Sequence, residues 1–393
     1  MKLIKSWRWF GENDSVTLNW LKENGIEEVV TALHHISNGE VWPEEEILKV
    51  KSKIEAAGLG WSVVESLPVT EAIKTASDLR DQHIQNYKTS LRNLAACGIK
   101  TVVYNFMPVL DWARTDLNYQ IPGLGESMLF DYPTFAAFDM YILKRPGAEN
   151  DYPTELKVAA KQAFEKMTAD DAERLAHNII VVTQGFIDGV IDPSIEDYKQ
   201  EFLNHLQRYQ HIDDVQLRAN LTYFLNEVIP VAEEVGINLA IHPDDPPFAV
   251  LGLPRIFGNI NDMEWLANTN PSQNNGIAFC AGSFSARADN DVVEMAGKYA
   301  HRIHFAHLRN TQTLPDGSFY ESGHINGTVD MKALVNVFLK EMKERSARIP
   351  MRPDHGLKGV EDEGLTANPG YPQFGRLKGL REVEHLEEEL LHP

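Results

Sequence analysis

The sequence predicts an α/β chain folded as a closed (β/α)8 TIM barrel with a helical insertion between its fourth and fifth strands. Three observations point there. Short β-branched or aromatic runs recur along the 393 residues. Each leads through a polar turn into a helical pattern, the habit of repeated βα units. Eight such units can be placed, the number that closes a parallel barrel.

The eight strands are expected at residues 3–10, 28–33, 60–65, 101–107, 238–243, 276–281, 302–309 and 349–354. Helical stretches lie between them. Residues 43–57 open with Pro43 and a run of glutamates suited to a first helical turn, and residues 72–96 stop just short of Gly98. The interval 109–236 exceeds any ordinary βα connection, so it must carry elements of its own. Its first part, 111–152, is rich in proline, glycine and aromatics and reads as a lid or rim. Helices are expected at 169–184, 194–209 and 213–235, and the acidic tail 381–391 reads as a solvated terminal helix. With no internal repeat or low-complexity segment, residues 1–393 are expected to form one domain bearing that insertion.

A 43% hydrophobic content allows a large core. The amino terminus, MKLIKSWRWFGENDS, lacks a secretory signal's apolar run, and no stretch approaches the roughly 18 apolar residues of a membrane span. A cytoplasmic location is expected. Cys97 and Cys280 are too few for a disulfide framework. Cys97, just before a glycine at a helix end, reads as buried. A net charge of −20 opposes binding to nucleic acid or an anionic membrane. An anionic small molecule would need local positive charge, from arginine or metal.

Active sites of such barrels sit at the carboxyl ends of the strands, and the last four strands end in metal-ligand residue types. The fifth ends at His242, the sixth carries Cys280, the seventh carries His307, and the eighth ends at Asp354 and His355. Neighbouring strands lie roughly 4.8 Å apart, so side chains from their ends can converge on one ion. Each residue alone has a bland alternative: a strand-end cysteine is often a small buried hydrophobe, and a strand histidine is often hydrogen-bonded core. Their conjunction at one end of four successive strands points to a metal site. His304 is an odd number of residues from His307, faces the other side, and reads as structural.

The segments SWRWFG (6–11), VVTALHH with GEVWP downstream, LAIHPDDPP, FCAGS, HFAHLRN, and MRPDHG followed by NPGY together resemble the mannonate dehydratase family. The resemblance runs along the whole chain and rests on joint order and spacing. It implies a TIM barrel that dehydrates D-mannonate to 2-keto-3-deoxy-D-gluconate in hexuronate degradation. It also implies a divalent metal on His242, Cys280, His307 and Asp354, and an acid/base pair in His355 and Tyr371. Ligand softness alone would suit zinc or ferrous iron, whereas the resemblance implies Mn(II) or Fe(II).

That chemistry removes a proton beside a carboxylate and expels a hydroxyl, so it needs both charge stabilisation and proton transfer. Histidine titrates near neutral pH, which suits His355 to the second task. Pro369 and Gly370 mark a tight turn that could aim Tyr371 inward. Arg309, on the His307 strand face, is expected to hold the carboxylate or a hydroxyl of a sugar acid. Arg8, His34, Asn105 and His324 are polar groups expected to face the same mouth. Asp244 is expected to touch substrate or orient His242, and Trp9 and Trp42 to wall the pocket or fill the rim. A homo-oligomer, a dimer, is the base expectation. Two other readings remain open: a sugar isomerase or epimerase of the xylose-isomerase type, whose sites are richer in Glu and Asp, and a non-catalytic sugar-acid binder, which would not need His355 and Tyr371.

Overall fold

The computed structural model describes residues 1–184 and 195–392. In chain order its strands are β1 (Ile4–Arg8), β2 (Glu28–Thr31), β3 (Gly60–Glu65), β4 (Thr101–Tyr104), β5 (Asp116–Ile121), β6 (Gly125–Phe130), β7 (Asn238–Ile241), β8 (Asn275–Cys280), β9 (Ile303–His307), β10 (Thr311–Thr313), β11 (Phe319–Glu321) and β12 (Pro350–Arg352). Eight of them close a parallel barrel in the order β1-β12-β9-β8-β7-β4-β3-β2. These are the eight expected strands: β3 has the expected bounds, β8 begins and ends one residue earlier, and the others are shorter than expected.

β4 and β8 are buried along their full length, as parallel strands covered on both faces must be. Six strands send Val30, Val63, Val103, Ala240, Ala278 and Phe305 into one internal cluster. The barrel is therefore filled rather than hollow, and ligands are confined to its ends. A larger cluster, including Leu91, Phe224, Phe279 and Phe338, joins the strands to their helices. Trp9, Trp42 and Cys97 belong to it, so the two tryptophans fill core rather than wall a pocket. The helix Asp214–Val235 that leads into β7 starts where the Asp213 side chain accepts from Gln216 N and stops at left-handed Gly236.

The structure corrects three expectations. Residues 72–96 are not one helix: Glu71–Lys74 and Arg80–Ala96 are separated by a turn containing Ala76 at φ 55°. The rim segment contains the β5–β6 hairpin, which joins the β10–β11 hairpin in a four-stranded antiparallel sheet ordered β10-β11-β6-β5. Phe130 and Phe319 stack across it with centroids 5.2 Å apart. The sequences DLNYQI and GESMLF are polar and half exposed, too weakly patterned to announce strands. Finally, the carboxyl-terminal helix spans Gln373–Leu391 and is not solvated all round: Leu380 and Val383 are buried, and Glu387 accepts from Leu3 N at 2.7 Å.

The insertion's other helices are Thr154–Glu165, Ala169–His177 with a π-helical turn Asn178–Val182, and Tyr198–Gln207. Residue 194, the expected start of the last, lies outside the described residues. Among the described residues no helix is long and apolar enough to cross a membrane.

Phe305 carries most of the aromatic volume inside the barrel. Phe305→Ala is expected to cost about 3–5 kcal/mol in urea unfolding, and Phe305→Leu less than about 1.5 kcal/mol. Equal, small losses would show that the barrel interior tolerates a void.

Candidate active site

Five barrel strands end on a residue of one cluster: Arg8 closes β1, Glu65 β3, Cys280 β8, His307 β9 and Arg352 β12. Strand register aligns them, with Cys280 level with His307 and His307 level with Arg352. His242 follows β7 by one residue, its backbone still held by Tyr104 O at 3.0 Å.

His242, Cys280 and His307 each offer a donor atom, and the three atoms lie within 4.8 Å of one another. His242 Nδ1 is 2.7 Å from Pro243 O, which can only accept, so its Nε2 presents a lone pair. His307 Nε2 accepts from Arg352 Nε at 3.2 Å and lies 3.1 Å from Glu65 Oε1, while its Nδ1 faces His242 Nε2 at 3.3 Å. A cation taking nitrogen and sulfur ligands fits this donor set. Asp354 stands beside the group, its Oδ2 3.7 Å from His307 Nδ1 and 3.8 Å from Cys280 Sγ, but outside the 4.8 Å triad.

Below and around these donors lie four buried guanidiniums and four buried carboxylates: Arg8, Arg114, Arg309 and Arg352 against Glu65, Asp245, Glu321 and Asp354. Arg114 donates to Asp245 Oδ1 at 2.7 Å and to Glu321 Oε1 at 2.6 Å. Arg309 donates to Glu321 at 2.6 Å, to Ser283 Oγ at 3.0 Å and to Asp245, and its Nε forms an ion pair with Asp354 Oδ2 at 2.8 Å. Arg352 reaches Glu65 Oε2 at 2.9 Å and also Asp354. Burial works against ionised carboxylates here, but the facing charges outweigh it: Arg352, His307 and Arg8 hold Glu65 well below the usual range, and Arg309, His355 and Arg114 do the same for Glu321. Asp354 adopts φ 64°, a left-handed conformation rare for aspartate, and its ion pairs hold it there.

His355 and Tyr371 meet edge to face, ring centroids 5.0 Å apart, with Trp112 5.6 Å from the other side of His355. Gly370 makes the expected turn. Its φ is 78°, a left-handed conformation that glycine adopts without strain, and this turn brings the NPGY loop onto the site. Burial pushes the Tyr371 phenol up to about 12, with Arg352 opposing, so it keeps its proton at neutral pH. His355 Nδ1 lies 3.2 Å from Glu321 Oε1.

One cavity is lined by Arg8, Asn105, His242, Arg309, Asp354, His355 and Tyr371, together with Glu65, Ser66, Asp111, Trp112, Asp245 and Arg352. Among the described residues Arg8 Nη1 has no hydrogen-bond partner there; it is buried 3.8 Å from Glu65. Other expected contacts are not brought together. His34 is exposed and does not line the cavity. Asp244 points away, accepting from Phe257 N at 2.8 Å beside Arg255, and its neighbour Asp245 lines the cavity instead. His324 is buried behind the eighth barrel strand's end, 2.9 Å from Pro353 O, packed against Gly379 of the terminal helix. Arg309 lines the cavity, yet its donors are engaged by three carboxylates. His304 faces outward as expected, 2.8 Å from Gln273 O.

Sequence reading missed Glu65, Arg352, Asp245, Glu321 and Arg114. Glu65 was visible as the last residue of a strand, and Arg352 sits two residues before Asp354 in MRPDHG. Arg114 and Glu321 gave no local signal, because antiparallel pairing outside the barrel delivers them.

A filled parallel barrel whose strand ends gather nitrogen and sulfur donors beside a buried histidine–tyrosine pair defines a metal-dependent enzyme acting on small molecules. The family model for D-mannonate dehydratase (UxuA) matches residues 1–392, and the chain belongs to that family. Its reaction is the loss of water from D-mannonate, so this chain is a hydro-lyase rather than an isomerase or a passive binder. The mannonate dehydratase of Marinomonas sp. (strain MWYL1) is 49% identical over 389 residues, and that of Chromohalobacter salexigens 47% over 388; each alignment covers 97% of both chains. The crystal structure of mannonate dehydratase from Streptococcus suis serotype 2 is similar with a TM-score of 0.76 at 33% identity, covering 99% of this chain and 93% of that one.

Two predictions concern the buried charges. Arg114→Ala leaves Asp245 and Glu321 short of a partner and is expected to cost about 3–5 kcal/mol in urea unfolding at neutral pH. Burial raises the Asp244 carboxyl to about 6, with Arg255 opposing. Its protonated form is favoured in the fold, so its contribution to stability is present below about pH 4 and lost as pH rises through about 6. Asp244→Asn should remove roughly 2–3 kcal/mol of the stability difference between pH 4 and pH 7; an unchanged profile would contradict this.

Proposed function

We propose that the cavity dehydrates D-mannonate with His242, Cys280, His307 and Asp354 as cation ligands and His355 and Tyr371 as the proton-transfer pair. The observation that carries the reading is convergence: two imidazoles and a thiol meet beside a cavity that also holds a histidine and a proton-bearing tyrosine. A divalent cation bound there supplies Lewis-acid stabilisation of charge developing on the substrate carboxylate.

Arg8, whose Nη1 has no hydrogen-bond partner among the described residues, is the arginine available to bind the substrate carboxylate. Asn105 is placed to meet a hydroxyl.

His355, with Nδ1 toward Glu321, takes the proton from C2 at Nε2. Tyr371 gives its proton to the departing 3-hydroxyl, which leaves as water when the C3–O bond breaks. A C2=C3 enol results, and it becomes the 2-ketone as C3 is protonated. The proton held by His355 passes to the phenolate and restores the pair. The reading extends to Mn(II) or Fe(II) as the ion, a cytoplasmic homodimer, and residues 1–393 acting as one catalytic domain with an insertion at 109–236.

The test is turnover of D-mannonate by chelator-stripped protein supplied separately with Mn(II), Fe(II) and Zn(II), following the 2-keto acid. Mn(II) or Fe(II) should restore activity and Cys280→Ala abolish it. Tyr371→Phe should lower kcat by about 10²–10⁴ with metal content unchanged. No keto acid with any metal would sink the reading.

A further inference from the structure

Arg376 lies in the first turn of the terminal helix Gln373–Leu391 and is 2% exposed. Its Nε donates to Pro372 O at 3.2 Å and its Nη1 to Arg8 O at 3.3 Å. The guanidinium lies 4.1 Å from the centroid of the Trp7 ring and 5.2 Å from that of the Tyr371 ring. Carbonyls and ring faces are its whole surroundings in charge terms. Arg8, Arg114, Arg309 and Arg352 each face a carboxylate, whereas Arg376 has none within ion-pair distance among the described residues. Burial lowers the group to about 10, so it is still a cation at neutral pH.

Stability gives no reason for this residue. A buried cation without a counter-charge is costly, and one in a first helical turn also opposes the helix dipole. The backbone nevertheless fixes it against the candidate proton-transfer pair. A Cβ on Gly356, the residue after His355, would fall 2.7 Å from Arg376 N, and one on Gly375 would fall 2.0 Å from Leu357 O. Asp362 secures the same turn, accepting from Phe374 N at 2.7 Å and from Gly375 N at 3.0 Å. Around the Tyr371 phenol the other charges oppose one another: Arg352 and Arg8 lower it, while burial, Asp354 and Glu65 raise it. Arg376 adds a cation that no carboxylate offsets.

We propose that Arg376 is a positioning residue for the dehydration, a cation held without a counter-charge against the Tyr371 ring so that it stabilises the phenolate left by proton donation. The inference rests on the reading of Tyr371 as the proton donor. When the Tyr371 O–H breaks, its proton goes to the 3-hydroxyl oxygen as the C3–O bond breaks, leaving water and a phenolate. A ring that carries this charge attracts a guanidinium more strongly than a neutral phenol does. The interaction therefore grows along the reaction, so its loss falls on kcat rather than on KM.

The test is a double-mutant cycle in Mn(II)-loaded protein with D-mannonate as substrate. Arg376→Met is expected to lower kcat about 30-fold, with KM and metal content unchanged. Arg376→Lys keeps the charge but not the fork of hydrogen bonds, and it should recover most of that loss. In Tyr371→Phe, which forms no phenolate, adding Arg376→Met should change kcat by less than about 3-fold. Thermal melts show which variants are folded. If Arg376→Met does not fold, Arg376→Lys decides alone, near-parental kcat supporting the proposal and a large loss in folded protein overturning it. Parental kcat in Arg376→Met, an equal loss in Arg376→Lys, or an undiminished effect in the Tyr371→Phe background also overturns it. Parental kcat in Tyr371→Phe by itself would instead sink the reading of Tyr371 as the donor, and this proposal with it.

Discussion

Four arginines and four carboxylates held out of water at one end of the barrel constrain everything around them. An unpaired buried charge is far more costly than an exposed one, so each group must have its partner in place before the barrel end can close. Arg309 shows the consequence most clearly. Its guanidinium faces Asp245, Glu321 and Asp354, residues that come from the loop after β7, from β11 and from the loop after β12. One side chain thus ties two barrel loops to an antiparallel hairpin. The network orients the site rather than adding much net stability, because desolvation offsets much of the attraction.

The donors for a cation inherit their geometry from this arrangement. Neutral imidazoles do not choose a tautomer by themselves; Pro243 O settles it for His242. Barrel register does the rest, since parallel pairing levels Cys280 with His307 and His307 with Arg352. The proposed proton-transfer pair is assembled differently. His355 follows directly from the eighth barrel strand, but Tyr371 arrives on a loop that turns at Gly370, whose φ is 78°. The terminal helix behind that loop packs on His324 through another glycine, Gly379, and reaches the start of β1 through Glu387.

The antiparallel sheet explains why the long insertion bears on function as well as size. Its β11 supplies Glu321, which lies within reach of His355, and the segment before β5 supplies Trp112 and Arg114, one against the His355 ring and the other in the charge network. The rim is therefore a wall of the site.

The sequence by itself determined the barrel, because eight β-branched runs with helical intervals admit few other closures. It also placed ligand-type residues at the ends of the last four strands, of which the structure groups His242, Cys280 and His307, and it carried the resemblance that identifies the chemistry. His242, Cys280, His307, Asp354, His355, Tyr371 and Arg8 were all legible, since strand ends of a parallel barrel share one face. Tertiary structure alone decided which neighbour of a pair turns inward, Asp245 rather than Asp244, because loop direction after a strand has no period to read. It also decided that Arg309 would be held by carboxylates, that His34 would stay in solvent, and that Glu321 and Arg114 would reach the site at all. Those outcomes depend on pairing between segments nearly 200 residues apart, as β6 with β11, and no local pattern encodes which partner a half-exposed polar strand will meet.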